Sequence, residues 1–304
     1  MSEAPNANGP SRRTSAGRIL AVGLLLLTVA AVAGCQSVKA GSWRELGGPL
    51  GLSRRAGTAD GAKATAPDGD EPEDPSDASV VATPAFAAVP PHDPQPTFDR
   101  SKYIGLPVEF VPNDQHEVAL TFDDGPSRNS GAILSILETY DAHATFFMVA
   151  KRAEIHDDRV LAVVGADDEV ANHTWSHSAL RNLDATTTAL QIDRAQAMLT
   201  AEAGTPPLFV RPRGGKFDEA GRMALVDRGL IMVLWSIHAN DIEPSPTPDQ
   251  IVKNATHHIK PGSIILMHET NDNTVLALPK ILDELRAKGL RPVTLSQLLA
   301  DGHP

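Results

Sequence analysis

From Glu117 to the C-terminus, short apolar runs alternate with amphipathic stretches of helical period, and this alternation is what most limits the fold. Val118–Phe122 and Thr145–Val149 are brief, continuously apolar runs, the pattern of strands buried on both faces. Between them GAILSILETY sets Ile133, Leu134 and Leu137 on one helical face. Further strands are predicted at Val170–Asn172, Leu208–Arg211, Ile231–Trp235, Ile264–Met267 and Pro292–Leu295. Helices are predicted at Ala185–Ala203, Glu219–Arg228, Asp249–Ile259 and Val275–Lys288, with Pro248 suiting a helix start and Gly289 a helix stop. Strand and helix in turn over about 200 residues imply an α/β fold on a parallel sheet or barrel. Such folds gather chemistry at the C-terminal ends of their strands.

The chain ahead of this region has a different character. Arg12, Arg13 and Arg18 precede an apolar run, Ile19–Ala33, that is short for a membrane-spanning helix, which needs about 20 residues. The run ends in Val32-Ala33-Gly34-Cys35, which resembles a bacterial lipobox, so residues 1–34 are expected to be a lipoprotein signal peptide and Cys35 to carry lipid. A twin-arginine reading of Arg12-Arg13 fits the following residues poorly. Residues 35–96 are expected to be a flexible linker, since stretches such as APDGDEPEDPSDASVVATP hold too little apolar surface to offset the entropy of ordering. Trp43–Leu52 is at most a small local element. The catalytic domain is expected at 97–304. Cys35 is the single cysteine, so no internal disulfide forms. A formal net charge of −11 without a basic stripe argues against nucleic acid as a partner.

Four short motifs stand at predicted strand ends. TFDDGP places two carboxylates, Asp123 and Asp124, after a buried strand, where a bend could turn both into one cavity and a cation would relieve their repulsion. Read alone, Asp-Gly-Pro is also an ordinary turn. HTWSH sets His173 and His177 four apart, a spacing from which two imidazoles can meet one metal, though surface histidines share it. FVRPRGG ends a strand at Arg211, able to orient a carboxylate, with Gly214 and Gly215 permitting close backbone approach. IILMHET ends an apolar strand at His268, which alone would be a satisfied core residue. Together they supply what metal-assisted hydrolysis requires: a three-ligand site, a second carboxylate to take a proton and a histidine to give one.

TFDDGP, HTWSH, RPRGG and LMH, in this order, resemble the motifs of the polysaccharide deacetylase family, carbohydrate esterase family 4, over about Glu117–Leu299. The resemblance implies a distorted (β/α) barrel of seven or eight strands. It implies activity on peptidoglycan, chitin oligomers or another poly-N-acetylglucosamine, some members cleaving acetyl esters of xylan instead. It makes Asp123 the general base, and Asp124, His173 and His177 the metal ligands. Arg211 would hold Asp123, His268 would be the general acid, Leu266 would line the acetyl-methyl pocket, and the Gly214 N–H would help stabilise the oxyanion. The ligand set suits Zn2+, with Co2+, Ni2+ or Mn2+ able to replace it.

Two departures matter. Arg213 replaces the second proline of the third motif, with Gly214 after it, so an aromatic wall over the sugar is missing; Arg213 is open to contact with substrate or to solvent, and solvent is the favoured reading. In WSIHANDI, His238 occupies the first aspartate of the fourth motif and Ile242 its tryptophan, leaving only Asp241. That first aspartate ordinarily supports the catalytic histidine, so support of His268 is expected to be altered. Among the other histidines, His116, His143, His156, His257 and His258 match no motif and read as surface residues, and Trp175 reads as packing. The retained base and ligands favour an enzyme over a glycan-binding module without turnover, with an O-acetyl esterase as the remaining alternative; the N-terminal signal places it as a lipid-anchored protein facing the cell envelope, and it is expected to be monomeric.

Overall fold

The computed structural model describes residues 93–303 apart from 243 and 245. The signal peptide, Cys35, Trp43–Leu52 and the linker as far as residue 92 lie outside the described residues. The Asp93 N–H donates to Asp167 Oδ1 at 2.7 Å.

The strands are β1 Glu117–Gly125, β2 Thr145–Met148, β3 Glu169–Asn172, β4 Phe209–Val210, β5 Ile231–Met232, β6 Ile237–His238, β7 Ile264–His268 and β8 Arg291–Val293. The helices are α1 Ser130–Tyr140, α2 Ala150–Ala153, α3 Asp157–Gly165, α4 Ala185–Ala203, α5 Glu219–Val226, α6 Pro248–Thr256, α7 Asp272–Ala287 and α8 Leu295–Asp301. All eight strands join one parallel sheet in the order β5-β4-β3-β2-β1-β7-β6, with β8 against the first residues of β1. β5 and β6 stand at the two ends of this order. The sheet is therefore an open, distorted barrel of eight strands, as the motifs imply.

Alternation along the strands divides the core in two. Val118, Leu120 and Phe122 of β1, Phe146 and Met148 of β2, and Ile265 and Met267 of β7 face outward, under Ile133 and Leu137 of α1 and Leu278, Ile281 and Leu285 of α7. Ala119, Phe147, Ala171, Phe209, Ile231 and Ile264 have the opposite parity and fill the barrel interior with Leu295 and Leu298. Continued two residues toward the strand ends, this inward parity reaches Thr121 and Asp123, His173, Arg211, and Leu266 and His268. The pleat that packs the interior thus also aims the chemistry.

Helix ends follow local chemistry. At α6, Thr247 Oγ1 accepts from the Gln250 N–H at 3.3 Å while Gln250 Oε1 accepts from the Thr247 N–H at 2.8 Å, a capping box with Pro248 at the first turn. Thr294 caps α8, so Leu295 opens a helix where the apolar pattern predicted the end of a strand. The short helix α2, the valine-rich α3 and the two-residue β6 carry too little periodicity to be read from sequence.

At the opposite, N-terminal end of the barrel lies buried Glu169, whose Oε2 accepts from Thr145 Oγ1 at 2.9 Å and the Ser296 N–H at 3.1 Å, and whose Oε1 accepts from the Ser296 hydroxyl. Burial outweighs these donors and the carboxyl is pushed up to about 7. The folded chain therefore holds this proton more tightly than the unfolded chain. The associated stability is complete below the ordinary carboxylate pKa and is lost as pH rises through about 7, by up to about 3 kcal/mol. Tm should consequently fall from about pH 5 to about pH 8 more steeply in the wild type than in Glu169→Gln; parallel profiles would count against this account.

Candidate metal centre and active site

β1 ends in a bulge. Asp123 pairs with Phe147 and Gly125 with Met148, leaving Asp124 as the extra residue, with a left-handed backbone at φ 71°. Adjacent residues of a regular strand face opposite sides; the bulge removes that constraint, and both carboxylates enter one cavity. Gly125 lies so close to the Glu269 carboxylate that a Cβ there would collide with it.

Asp123 is buried and clamped by Arg211, which has no exposed surface. Arg211 Nη1 donates to Asp123 Oδ1 at 2.6 Å and Thr121 Oγ1 at 2.9 Å, Nε to the Val233 carbonyl at 3.1 Å and Nη2 to the Leu234 carbonyl at 2.8 Å. Its guanidinium carbon lies 4.0 Å from the centre of the Phe147 ring. The buried cation is thus fully engaged, which is what makes its burial tolerable.

HTWSH is a turn after β3, not a helix. Thr174 Oγ1 accepts from the Ser178 N–H at 2.7 Å, and His177 adopts φ 58°. Buried His173 donates from Nδ1 to the Arg211 carbonyl at 2.7 Å, which leaves the Nε2 lone pair facing Asp124. Asp124 Oδ1 lies 3.3 Å from His173 Nε2 and 2.9 Å from His177 Nε2. Ligand atoms of Asp124, His173 and His177 all lie within 4.8 Å of one another. Asp124 Oδ1 is buried and has no hydrogen-bond partner among the described residues, as expected of an oxygen directed at a cation. One carboxylate and two imidazoles, with the outer nitrogen of His173 fixed by a carbonyl, fit a divalent ion that keeps an open position.

Across the site, His268 ends β7, paired with Asp123. Its Nδ1 lies 2.8 Å from Asp241 Oδ1, and its backbone N–H donates to Asp241 Oδ2 at 2.6 Å. Thr274 Oγ1 donates to the same oxygen at 2.7 Å, and Asn271 donates to the Asp241 carbonyl. Burial opposes the charged form of His268, but the Asp241 bond, backed by the charges of Asp123 and Asp124, prevails and raises its pKa.

This corrects the expectation drawn from the fourth motif. The support of His268 is not lost with the first aspartate, because fully buried Asp241 provides it. His238 instead accepts from the Asn240 N–H at 2.7 Å, its ring centre 6.1 Å from that of His268.

Leu266, two residues before His268 and so on the same face of β7, is buried. Gly214 lies exposed in the turn after β4 at φ 58°. Trp175 packs partly buried against the main core with the Arg194 guanidinium 3.4 Å over its ring. Of the unassigned histidines, His143 is a half-buried partner of Asp168 at 3.7 Å rather than a plain surface residue.

Glu269 was not singled out from the sequence. Its N–H donates to the Asp123 carbonyl at 3.0 Å, its carboxylate accepts from the Ser127 N–H at 2.8 Å and from the Ser130 hydroxyl, and its carbonyl accepts from Asn129 at 3.0 Å. It ties the loop bearing both aspartates to the strand bearing His268. The one available signal was a carboxylate directly after a buried strand.

Hydrolysis assisted by a divalent ion is the chemistry that such a set of groups at parallel strand ends can perform. Comparison with known proteins supplies the family. The chain belongs to the polysaccharide deacetylase family, whose model matches residues 111–233. It is 35% identical over 199 residues to a peptidoglycan-N-acetylglucosamine deacetylase of Bacillus cereus, covering 64% of this chain and 92% of that one. It is 31% identical to a chitooligosaccharide deacetylase of Rhizobium leguminosarum bv. trifolii, covering 66% and 91%. Among solved structures, a peptidoglycan N-acetylglucosamine deacetylase complex superposes with a TM-score of 0.61 at 32% identity, over 64% of this chain and 94% of that one.

Proposed function

We propose that this protein is a metal-dependent deacetylase that removes N-acetyl groups from peptidoglycan at the cell envelope, with its catalytic domain at 97–304. The observation that carries the reading is the buried Asp124 Oδ1, without a hydrogen-bond partner among the described residues, between His173 Nε2 and His177 Nε2 and beside an Asp123 clamped by Arg211.

Asp124, His173 and His177 would hold the ion, and Zn2+ suits them best. The chemistry such an ion supplies is Lewis-acid polarisation of the acetyl carbonyl and acidification of water. Asp123, immobilised by Arg211, takes the proton of the attacking water. His268, whose charged form Asp241 favours, gives its Nε2 proton to the leaving amine. The Gly214 N–H faces the developing oxyanion, and Leu266 lines the pocket for the acetyl methyl group. Lipidated Cys35 would tether the monomeric enzyme to a bacterial membrane, where peptidoglycan is the nearest N-acetylated glycan.

Acetate release tests the activity. Peptidoglycan and N-acetylglucosamine oligomers should release acetate, chelator should abolish it, and Zn2+ should restore it; release from acetylated xylan alone would sink the N-deacetylase reading. His173→Ala should weaken metal binding by more than about a hundredfold, beyond what loss of an outer partner of a ligand costs, and activity should fall with it. An unchanged metal stoichiometry would remove His173 from the ligand set. Cys35→Ser should move the protein from membrane to soluble fractions, and persistent lipid labelling would contradict the anchor.

A further inference from the structure

Beside the metal ligands lies a cavity of about 600 Å3, within the usual range of ligand pockets of about 300–1,000 Å3. His177 and Gly214 belong to its wall, so it opens directly off the reacting centre. Arg181, Arg213 and Lys216 also line it, and among the described residues none that lines it is acidic. This is unusual for a chain with 38 acidic and 27 basic residues. Arg213 stands where the sequence departs from the family's third motif.

The cations are held on two loops that are joined to each other. The Arg213 N–H donates to the Ser178 carbonyl at 3.3 Å, the Leu180 N–H to the Lys216 carbonyl at 2.9 Å, and Leu180 bridges Phe217. Carboxylates of the same loops are committed elsewhere. Asp184 caps α4 through the Thr187 N–H at 2.8 Å, and Asp218 accepts from the Asn182 and Gly221 N–H groups at 2.8 and 2.9 Å. Among the described residues, Arg181 and Lys216 make no ion pair.

We infer that this cavity is a subsite for a carboxylate carried by the glycan next to the sugar being deacetylated, so that the enzyme selects an anionic strand over a neutral one. The inference rests on the deacetylase reading above and narrows its substrate. With an acetyl group at the Asp124–His173–His177 cluster, the adjoining sugar passes His177 and Gly214 into the cavity. Each alternate sugar of peptidoglycan bears a lactyl ether carboxylate, free or extended by a peptide that ends in further carboxylates; chitin oligomers bear none. A net charge of −11 repels a polyanion at long range, so a local group of cations is needed to seat it.

The test compares three tetrasaccharides on the metal-loaded full chain: neutral N-acetylglucosamine tetramer, a peptide-free alternating tetramer with lactyl carboxylates, and the same tetramer bearing peptide. Kd is measured by calorimetry and acetate release in parallel. At low salt the anionic tetramers should bind about tenfold or more tighter than the neutral one, as a charge-assisted contact provides. This preference should shrink with added salt and be largely lost in Arg181→Gln/Lys216→Gln and, separately, in Arg213→Gln. Preference for the peptide-free tetramer assigns the lactyl carboxylate; preference only for the third assigns the peptide. Equal Kd values for neutral and anionic glycans, or a preference that survives both variants, overturns the subsite. Absence of acetate release from all three overturns the deacetylase reading instead, and the Kd comparison still decides the subsite.

Discussion

Asp123→Asn is expected to lower kcat by about a hundredfold or more while leaving metal content unchanged. Asparagine keeps the size of the side chain and an oxygen for Arg211 Nη1, so the bulge and the Asp124 ligand stay in place. What is lost is the capacity to take a proton. The substitution also leaves the fully buried Arg211 without its counter-charge. Removing one partner of a buried pair typically costs about 3–5 kcal/mol, but Arg211 retains Thr121 Oγ1 and the Val233 and Leu234 carbonyls, which should hold the loss to the lower end. Acetate kinetics with metal analysis on the same preparation separates the effects. Turnover at the wild-type rate would remove Asp123 from the mechanism; loss of metal would mean that Asp123 and Asp124 are not separable in role.

Much of this site is legible in the sequence because the pleat of a parallel sheet is regular. Ala119, Ala171, Phe209 and Ile264 share the inward parity that ends in Asp123, His173, Arg211 and His268, so apolar runs and motif positions carry the same information. What breaks the regular period could not be read in advance. The extra residue at Asp124 is a backbone event set by the close approach of Gly125 to Glu269, a contact between segments far apart in the chain. Asp241 is another such case. Its role depends on the neighbouring β6 and β7 and on the start of α7, which bring His268 and Thr274 to its carboxylate and Asn271 to its backbone carbonyl. Spacing within a motif could not give that convergence, and the loss of the motif's first aspartate obscured it. Helices α2, α3 and α8 are stabilised by what they cover rather than by their own periodicity.

The Asp241–His268 pair yields the second large effect. Asp241→Asn should reduce kcat/KM by between about tenfold and about a hundredfold near neutral pH and move the alkaline limb of the profile to lower pH. In the wild type, burial disfavours charged His268 and the Asp241 carboxylate outweighs it, so the acid form persists to higher pH than in an unperturbed histidine. Without that charge, burial prevails, the pKa falls, and the proton donor is absent over more of the alkaline range. An amide also offers only one oxygen to three donors, the His268 ring, its backbone N–H and the Thr274 hydroxyl, which misplaces the ring. Stability follows the same sign: a histidine whose pKa is raised on folding contributes below its unfolded pKa, and that contribution is lost as pH rises through the folded value. The Tm gap between wild type and variant should therefore be widest at acid pH and narrow toward alkaline pH without closing, since Thr274 and the His268 N–H still donate to Asp241. An alkaline limb that does not move would show that His268 is not the titrating acid, whatever the loss in rate.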